Sequence, residues 1–211
     1  LVVVLALAVG SLWVYAPPAV MTALLARGVQ METGRTLKVA GPAQYKFGST
    51  LKVHLEKVSL SGPPGAPDLL NADALDAEIA LKPLLQRRVE ILNSNVTRPA
   101  VTITPGDPLL DAKSGGNSAL VLHALGVSDG TLAVKSDGKS KAWDIDQVSA
   151  SLDQDPATGA GTLKGSLRRG GEPMTFTAKI ANLGALQRRA VSQADITVEG
   201  KPVSGTFKGE I

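Results

Sequence analysis

Side chains capable of chemistry are few in this chain, and their spacing argues against a catalytic centre. There are two histidines, His54 and His123. His54 falls on the polar side of an alternating stretch. His123 lies in SALVLHALGV, with no His, Cys or acidic cluster at ligand spacing. A metal site needs three or four converging ligands, so both histidines read as surface or structural residues. Asp144 and Asp146 in AWDIDQ could in principle share acid–base work. They alternate with Trp143, Ile145 and Val148, the pattern of a solvated strand face. Cysteine is absent, which excludes disulfides, thiolate metal sites and a Cys nucleophile. There is no Gly-x-Ser-x-Gly elbow, and Asn95-Val96-Thr97 is a bare sequon of little specificity. The expectation is a non-enzymatic protein with no catalytic residues, no metal and no cofactor.

Charge excludes a second class. The formal net charge is only +3, spread along the chain, and the clustered basic pairs are Arg87-Arg88, Arg168-Arg169 and Arg188-Arg189. Nucleic-acid binding calls for a cationic stripe, often with aromatic stacking platforms, and aromatics are 3% of residues here. The apolar content is therefore aliphatic, and Leu, Val, Ile and Ala must line whatever interior exists.

Residues 1–16, LVVVLALAVGSLWVYA, carry no charge and run into Pro17-Pro18. A span of the hydrocarbon core takes about 20 residues, whereas a signal-peptide apolar region takes about 7–15. The chain opens on Leu, so residues 1–18 are expected to form a transmembrane anchor truncated at its N-terminus, with Trp13 and Tyr15 at the interface. A cleaved signal peptide ending at Val14-Tyr15-Ala16 is the alternative, and Pro17 fits poorly just after such a cut. From Val20, Met21, Leu24, Leu25 and Met31 the spacing predicts an amphipathic helix over 19–34 that ends at Thr33-Gly34.

Beyond Arg35 the period changes to two. Leu51, Val53 and Leu55 alternate with Lys52, His54 and Glu56, and the phase slips at Lys57 as a β-bulge would make it. Further strands are predicted near 72–82, 88–97, 100–104, 118–125, 130–136, 141–153, 160–169, 173–181, 194–200 and 202–209. Between them lie turn residues such as Pro105-Gly106-Asp107-Pro108, Ser114 to Asn117, Asp129-Gly130, Asp137-Gly138, Gly170-Gly171 and Glu199-Gly200. Even spacing with no helical pattern between strands predicts a mainly β protein, an antiparallel meander over 35–211. Its apolar face would be lined by Val53, Leu55, Ile79, Leu81, Val89, Ile91, Val101, Ile103, Leu132, Val134, Phe176, Ala178 and Ile180. That sheet either closes into a sandwich or barrel, or curls into a trough whose lining something else occupies.

The segments METGRTLKVAG, STLKVHLEKVSLSGPPG, DLLNADALDAEIALKPLLQRRVEI and NVTRPAVTI follow one another as in the N-terminal region of the AsmA family of bacterial envelope proteins, which the chain resembles. NSALVLHALGVSDGTLAV, KAWDIDQVSASLD and GTLKGSLRRGGEPMTFTAKI look like the family's next repeats, so the resemblance covers nearly the whole chain. It implies a curved, groove-like sheet related to bridge-like lipid transfer proteins. It also implies that ALKPLLQRRVEI leaves one strand, makes a single turn and returns along its neighbour. Pro83 would start that turn, Leu84 and Leu85 would plug the open end of the groove, and Arg87-Arg88 would stay solvated or meet lipid phosphates.

The function implied by the resemblance is outer-membrane biogenesis from an inner-membrane, single-pass anchor, with the β body in the periplasm and membrane phospholipid held along the groove. The rival is a scaffold for outer-membrane or other envelope proteins. A periplasmic enzyme would need a pocket of convergent polar groups that the sequence does not offer. The chain stops within GTFKGEI, and its strands would stack to a body about 60 Å long at ~4.8 Å per strand, so a longer protein is expected.

Overall fold

A computed structural model describes residues 17–85, 89–103, 120–136, 139–187, 190–201 and 203–211. Residues 1–16 of the predicted anchor, the Arg87-Arg88 pair and the Asp137-Gly138 turn lie outside these residues. No described helix is long and apolar enough to cross a membrane.

The first described element is helix α1 (Pro18–Thr33). A proline in its first turn forfeits only an amide that no helical carbonyl would accept. Gly34 closes it at φ 69°, its amide donating to the Gln30 carbonyl at 2.9 Å. The thirteen described strands then join one sheet. Its first half comprises β1 (Leu37–Val39), β2 (Ala43–Phe47), β3 (Thr50–Leu60), β4 (Leu70–Ala80), β5 (Val89–Thr97) and β6 (Ala100–Ile103). Its second half comprises β7 (Leu120–Leu122), β8 (Ala124–Ser136), β9 (Lys139–Gln154), β10 (Gly161–Arg169), β11 (Glu172–Ile180), β12 (Gln193–Gly200) and β13 (Gly205–Glu210). Two single-turn helices sit at strand ends, α2 (Leu81–Leu85) and α3 (Leu183–Gln187). As the resemblance implied, α2 joins two antiparallel neighbours, β4 and β5. Gly170 and Gly171, both at positive φ, make the two-residue hairpin between β10 and β11, whose right-handed twist suits such a turn.

The sheet is mixed, which corrects the antiparallel meander. β5 pairs in parallel with β7 and β8, and β6 pairs in parallel with β8. Parallel neighbours cannot share a tight turn and need a crossover of a dozen or more residues. The PGDP and SGGN signals fall within residues 104–119, outside the described residues. Asp129-Gly130 is not a turn; it lies inside β8.

Asp129 belongs to a larger irregularity. Four described non-glycine residues have positive φ: Lys57 (52°), Arg98 (46°), Asp129 (56°) and Gln147 (49°). The register places them along one line across the strands. Lys57 stands opposite Asp73, between the pairs Glu56↔Ala74 and Val58↔Ala72. Both of those pairs keep one offset, so β3 and β4 skip a pair together; the slip at Lys57 is not a one-sided bulge. Arg98 pairs with Asp73 at 2.5 Å and donates its amide to the Ser128 carbonyl at 2.8 Å. The β8–β9 register shifts between Val127 and Gly130, and the β9–β10 register shifts beside Gln147. Because the strands from β3 to β9 that cross this line change phase at the same level, their apolar face continues beyond the seam through Leu37, Leu60, Leu70, Val101, Leu132 and Ile145.

Candidate functional site

Alternation within a strand chooses a face, and register decides whether neighbouring strands choose the same one. Here they agree across the whole sheet. One row of directly paired residues runs Ala43, Leu55, Leu75, Val96, Val127, Ala150, Gly165, Phe176, Val198, Gly205. The next runs Tyr45, Val53, Ala77, Ser94, Leu125, Leu152, Leu163, Ala178, Ile196, Phe207. Ser94 is the polar exception, and its hydroxyl is satisfied by donating to the Ala124 carbonyl at 3.1 Å. Between these rows, on the opposite face, run Gln44, His54, Asp76, Asn95, Gly126, Ser151, Lys164, Thr177, Thr197 and Thr206.

The apolar face is closed at one end and partly open over the rest. Leu51, Val53, Leu55 and Val58 form a buried cluster, with Leu25 of α1 and Tyr45 and Phe47 of β2 packed against it. The Thr22 and Tyr45 hydroxyls hydrogen-bond at 2.9 Å and tie the helix down. Leu55 is fully buried and Val53 is 4% exposed. Both are therefore occupied by the protein's own side chains, not held open for a ligand. Ile79 and Leu81 pack half-buried against that cluster. Farther along, Leu125, Leu152, Leu163 and Ile196 are half-buried and Phe207 is 47% exposed. No second sheet faces them among the described residues, because every described strand belongs to the same sheet.

The remaining predicted positions fall as follows. Val89 and Ile91 on β5, and Val101 and Ile103 on β6, are half-buried, with Val101 paired to Leu132 and Ile103 to Val134. Phe176 lies over Gly165, where a Cβ would come within 2.5 Å of its ring. Ile180 is half-buried opposite Gly161, and that glycine is itself covered by Leu183 of α3. Pro83 is half-buried in α2. The backbone of Leu84 and Leu85 completes that turn, while their side chains, like Arg87, Arg88 and the side chains of Val134 and Asp144, lie outside what is described.

The opposite face carries charge that the sequence did not pair. His54 Nδ1 meets the Asp76 carboxylate at 2.6 Å, and Nε2 lies 3.5 Å from Glu56. The hydrogen bond to Asp76 raises the imidazole above its ordinary value, burial opposes this, and the charges of Asp76 and Glu56 add to the rise. His54 and Asp76 edge a depression of about 380 Å³ with Lys46, Lys52, Glu78, Asn93 and Asn95. His123, expected to stand alone, meets Glu90 at 2.7 Å with only 15% of its side chain exposed. Strand register across the parallel junction makes that contact, so only pairing could have revealed it. Asp146 is half-buried beside Gln147, with Oδ1 enclosed and unpartnered among the described residues; the expected solvated face does not hold there. No described group of three or more His, Cys, Asp or Glu could hold a metal.

Together these features define a bifacial single-sheet protein with one aliphatic and one polar surface. Comparison with protein-family models, with curated proteins and with solved structures finds no match.

Proposed function

We propose that this chain is a membrane-anchored, non-enzymatic envelope protein of the AsmA type whose aliphatic sheet face holds phospholipid acyl chains. The supporting observation is the pair of apolar rows that cross from β2 to β13 with Ser94 as their polar interruption. Each buried methylene contributes about 0.8 kcal/mol, and a lining without polar interruptions lets a chain slide between equivalent positions. The ligand-bearing part is the half-open stretch from β8 to β13, since the end beneath α1 is filled. The charge-free residues 1–16 support an inner-membrane anchor and the resemblance supports a periplasmic body.

A photo-crosslinking residue at Leu152, Leu163 or Ile196 is expected to capture phospholipid in cells, and the same residue at Ser151, Lys164 or Thr197 is not. Capture of protein alone from the inward positions overturns the lipid reading in favour of an envelope-protein scaffold. The complete burial of Leu55 is the observation on the scaffold's side, because it shows that this face can be satisfied by protein.

A further inference from the structure

Helix α1 has two sides, and the sheet accounts for one. Leu25 packs on the buried cluster and Thr22 bonds to Tyr45. On the other side, Val20 is 49% exposed, Leu24 is 54% exposed, and Ala23 and Arg27 are exposed with them. Positions 20, 24 and 27 fall on one helical stripe, and its first two turns are apolar.

The chain that leads into the helix indicates what meets this stripe. Residues 1–16 contain no charge, the first charged residue of the whole sequence is Arg27, and the first acidic one is Glu32. On the anchoring reading, Pro17 ends the uncharged stretch and stands at the margin of the hydrocarbon layer. At ~1.5 Å per residue Leu24 lies only about 10 Å farther along, and a helix turned along the interface keeps Val20 and Leu24 together at the acyl boundary, as interfacial helices hold their apolar side. Arg27 follows one turn on, where a guanidinium can extend its aliphatic stem through the boundary and reach lipid phosphate.

We infer that the outward stripe of α1, with Val20 and Leu24 immersed and Arg27 at the phosphates, is a docking surface for the bilayer itself. This rests on the anchoring reading above and goes beyond it, because it fixes orientation. The edge of the sheet bearing β1 and β2, which α1 contacts, faces the membrane, and the path from β3 to β13 leads away from it.

The absence of cysteine makes single-site labelling direct. Nitroxides are placed at Val20→Cys, Leu24→Cys and, on the polar face of β10, Lys164→Cys, in the full chain with vesicles of phosphatidylcholine and phosphatidylglycerol. All three sites are exposed, and circular dichroism confirms the fold. Labels at 20 and 24 are expected to be relaxed by oxygen and shielded severalfold from an aqueous nickel chelate, with the reverse at 164. Arg27→Glu should reduce the shielding at 24. If the protein floats with vesicles while 20 and 24 are as nickel-accessible as 164, the inference fails and the anchoring reading stands. Shielding from both relaxants means that protein covers the stripe, and overturns the inference too. Failure to float overturns both.

Discussion

Arg98 and Asp73 meet at 2.5 Å where the sheet changes phase, Arg98 standing between β5 and β6 and Asp73 opposite the left-handed Lys57. Both side chains are more than half exposed, so the ion pair itself contributes at most about 1 kcal/mol. Its position matters more. The four left-handed residues mark where the strands change phase, and a phase change in one strand alone would put its apolar side chains in water. Because all fall on one line, the strands from β3 to β9 that cross it change phase at the same level, and their shared face stays aliphatic on both sides of the seam. A line of bulge-like kinks is also a way to bend a sheet across its strands.

Strain at the seam is testable with two lysines. Lys57 and Lys164 are both exposed and both within strands, but only Lys57 has positive φ. Lys57→Gly should raise stability by about 1 kcal/mol, since glycine adopts this conformation without a Cβ penalty. Lys164→Gly should lower it by about 0.5–1 kcal/mol through added chain entropy. Denaturant midpoints with unchanged slopes measure both, and equal losses would show Lys57 to be unstrained.

The closed and open ends of the apolar face should respond differently to truncation. Leu55→Ala empties a fully buried site and is expected to cost 2–5 kcal/mol, about the range for buried leucines. Leu163→Ala, half-buried in the neighbouring row, should cost clearly less. Urea unfolding distinguishes them; equal losses would mean that the β10 region is as tightly packed as the cluster beneath α1.

Gly165 makes room for Phe176. A Cβ there would stand 2.5 Å from both the Phe176 ring and the Ser149 carbonyl oxygen. Gly165→Ala should therefore destabilise by about 1–3 kcal/mol even though alanine is stiffer in the unfolded chain. Combining it with Phe176→Leu should recover only part of the loss, because the Ser149 carbonyl is backbone. Thermal melts of the three variants decide this.

His54 should titrate above its unfolded value because protonation strengthens its bond to Asp76. A raised folded pKa makes the contribution to stability full below about pH 6.5, the ordinary histidine value, and lost as pH rises through the folded value. The effect is small and salt-sensitive, since the imidazole is about one-third exposed. Proton NMR of the ring should show the midpoint falling in Asp76→Asn. An unchanged midpoint would leave the contact without electrostatic consequence.

The sequence by itself determined what a single strand or turn can encode. Alternation assigned Val53, Leu55, Phe176 and Ile180 to one face, and glycine's tolerance of positive φ marked the ends at Gly34 and Gly170-Gly171. Whatever depends on two strands at once was decided only in the tertiary structure. Asp129-Gly130 favours a left-handed conformation in a hairpin or a bulge alike, and only the line through Lys57, Arg98 and Gln147 selects the bulge. The parallel junction between β5 and β8 follows from where the chain returns after residue 104, which no local preference dictates. His54 with Asp76 and His123 with Glu90 lie 22 and 33 residues apart, and register alone brings them into contact. Burial of Leu55 likewise awaited α1, since alternation selects the face of a side chain while the packing of other elements selects what covers it.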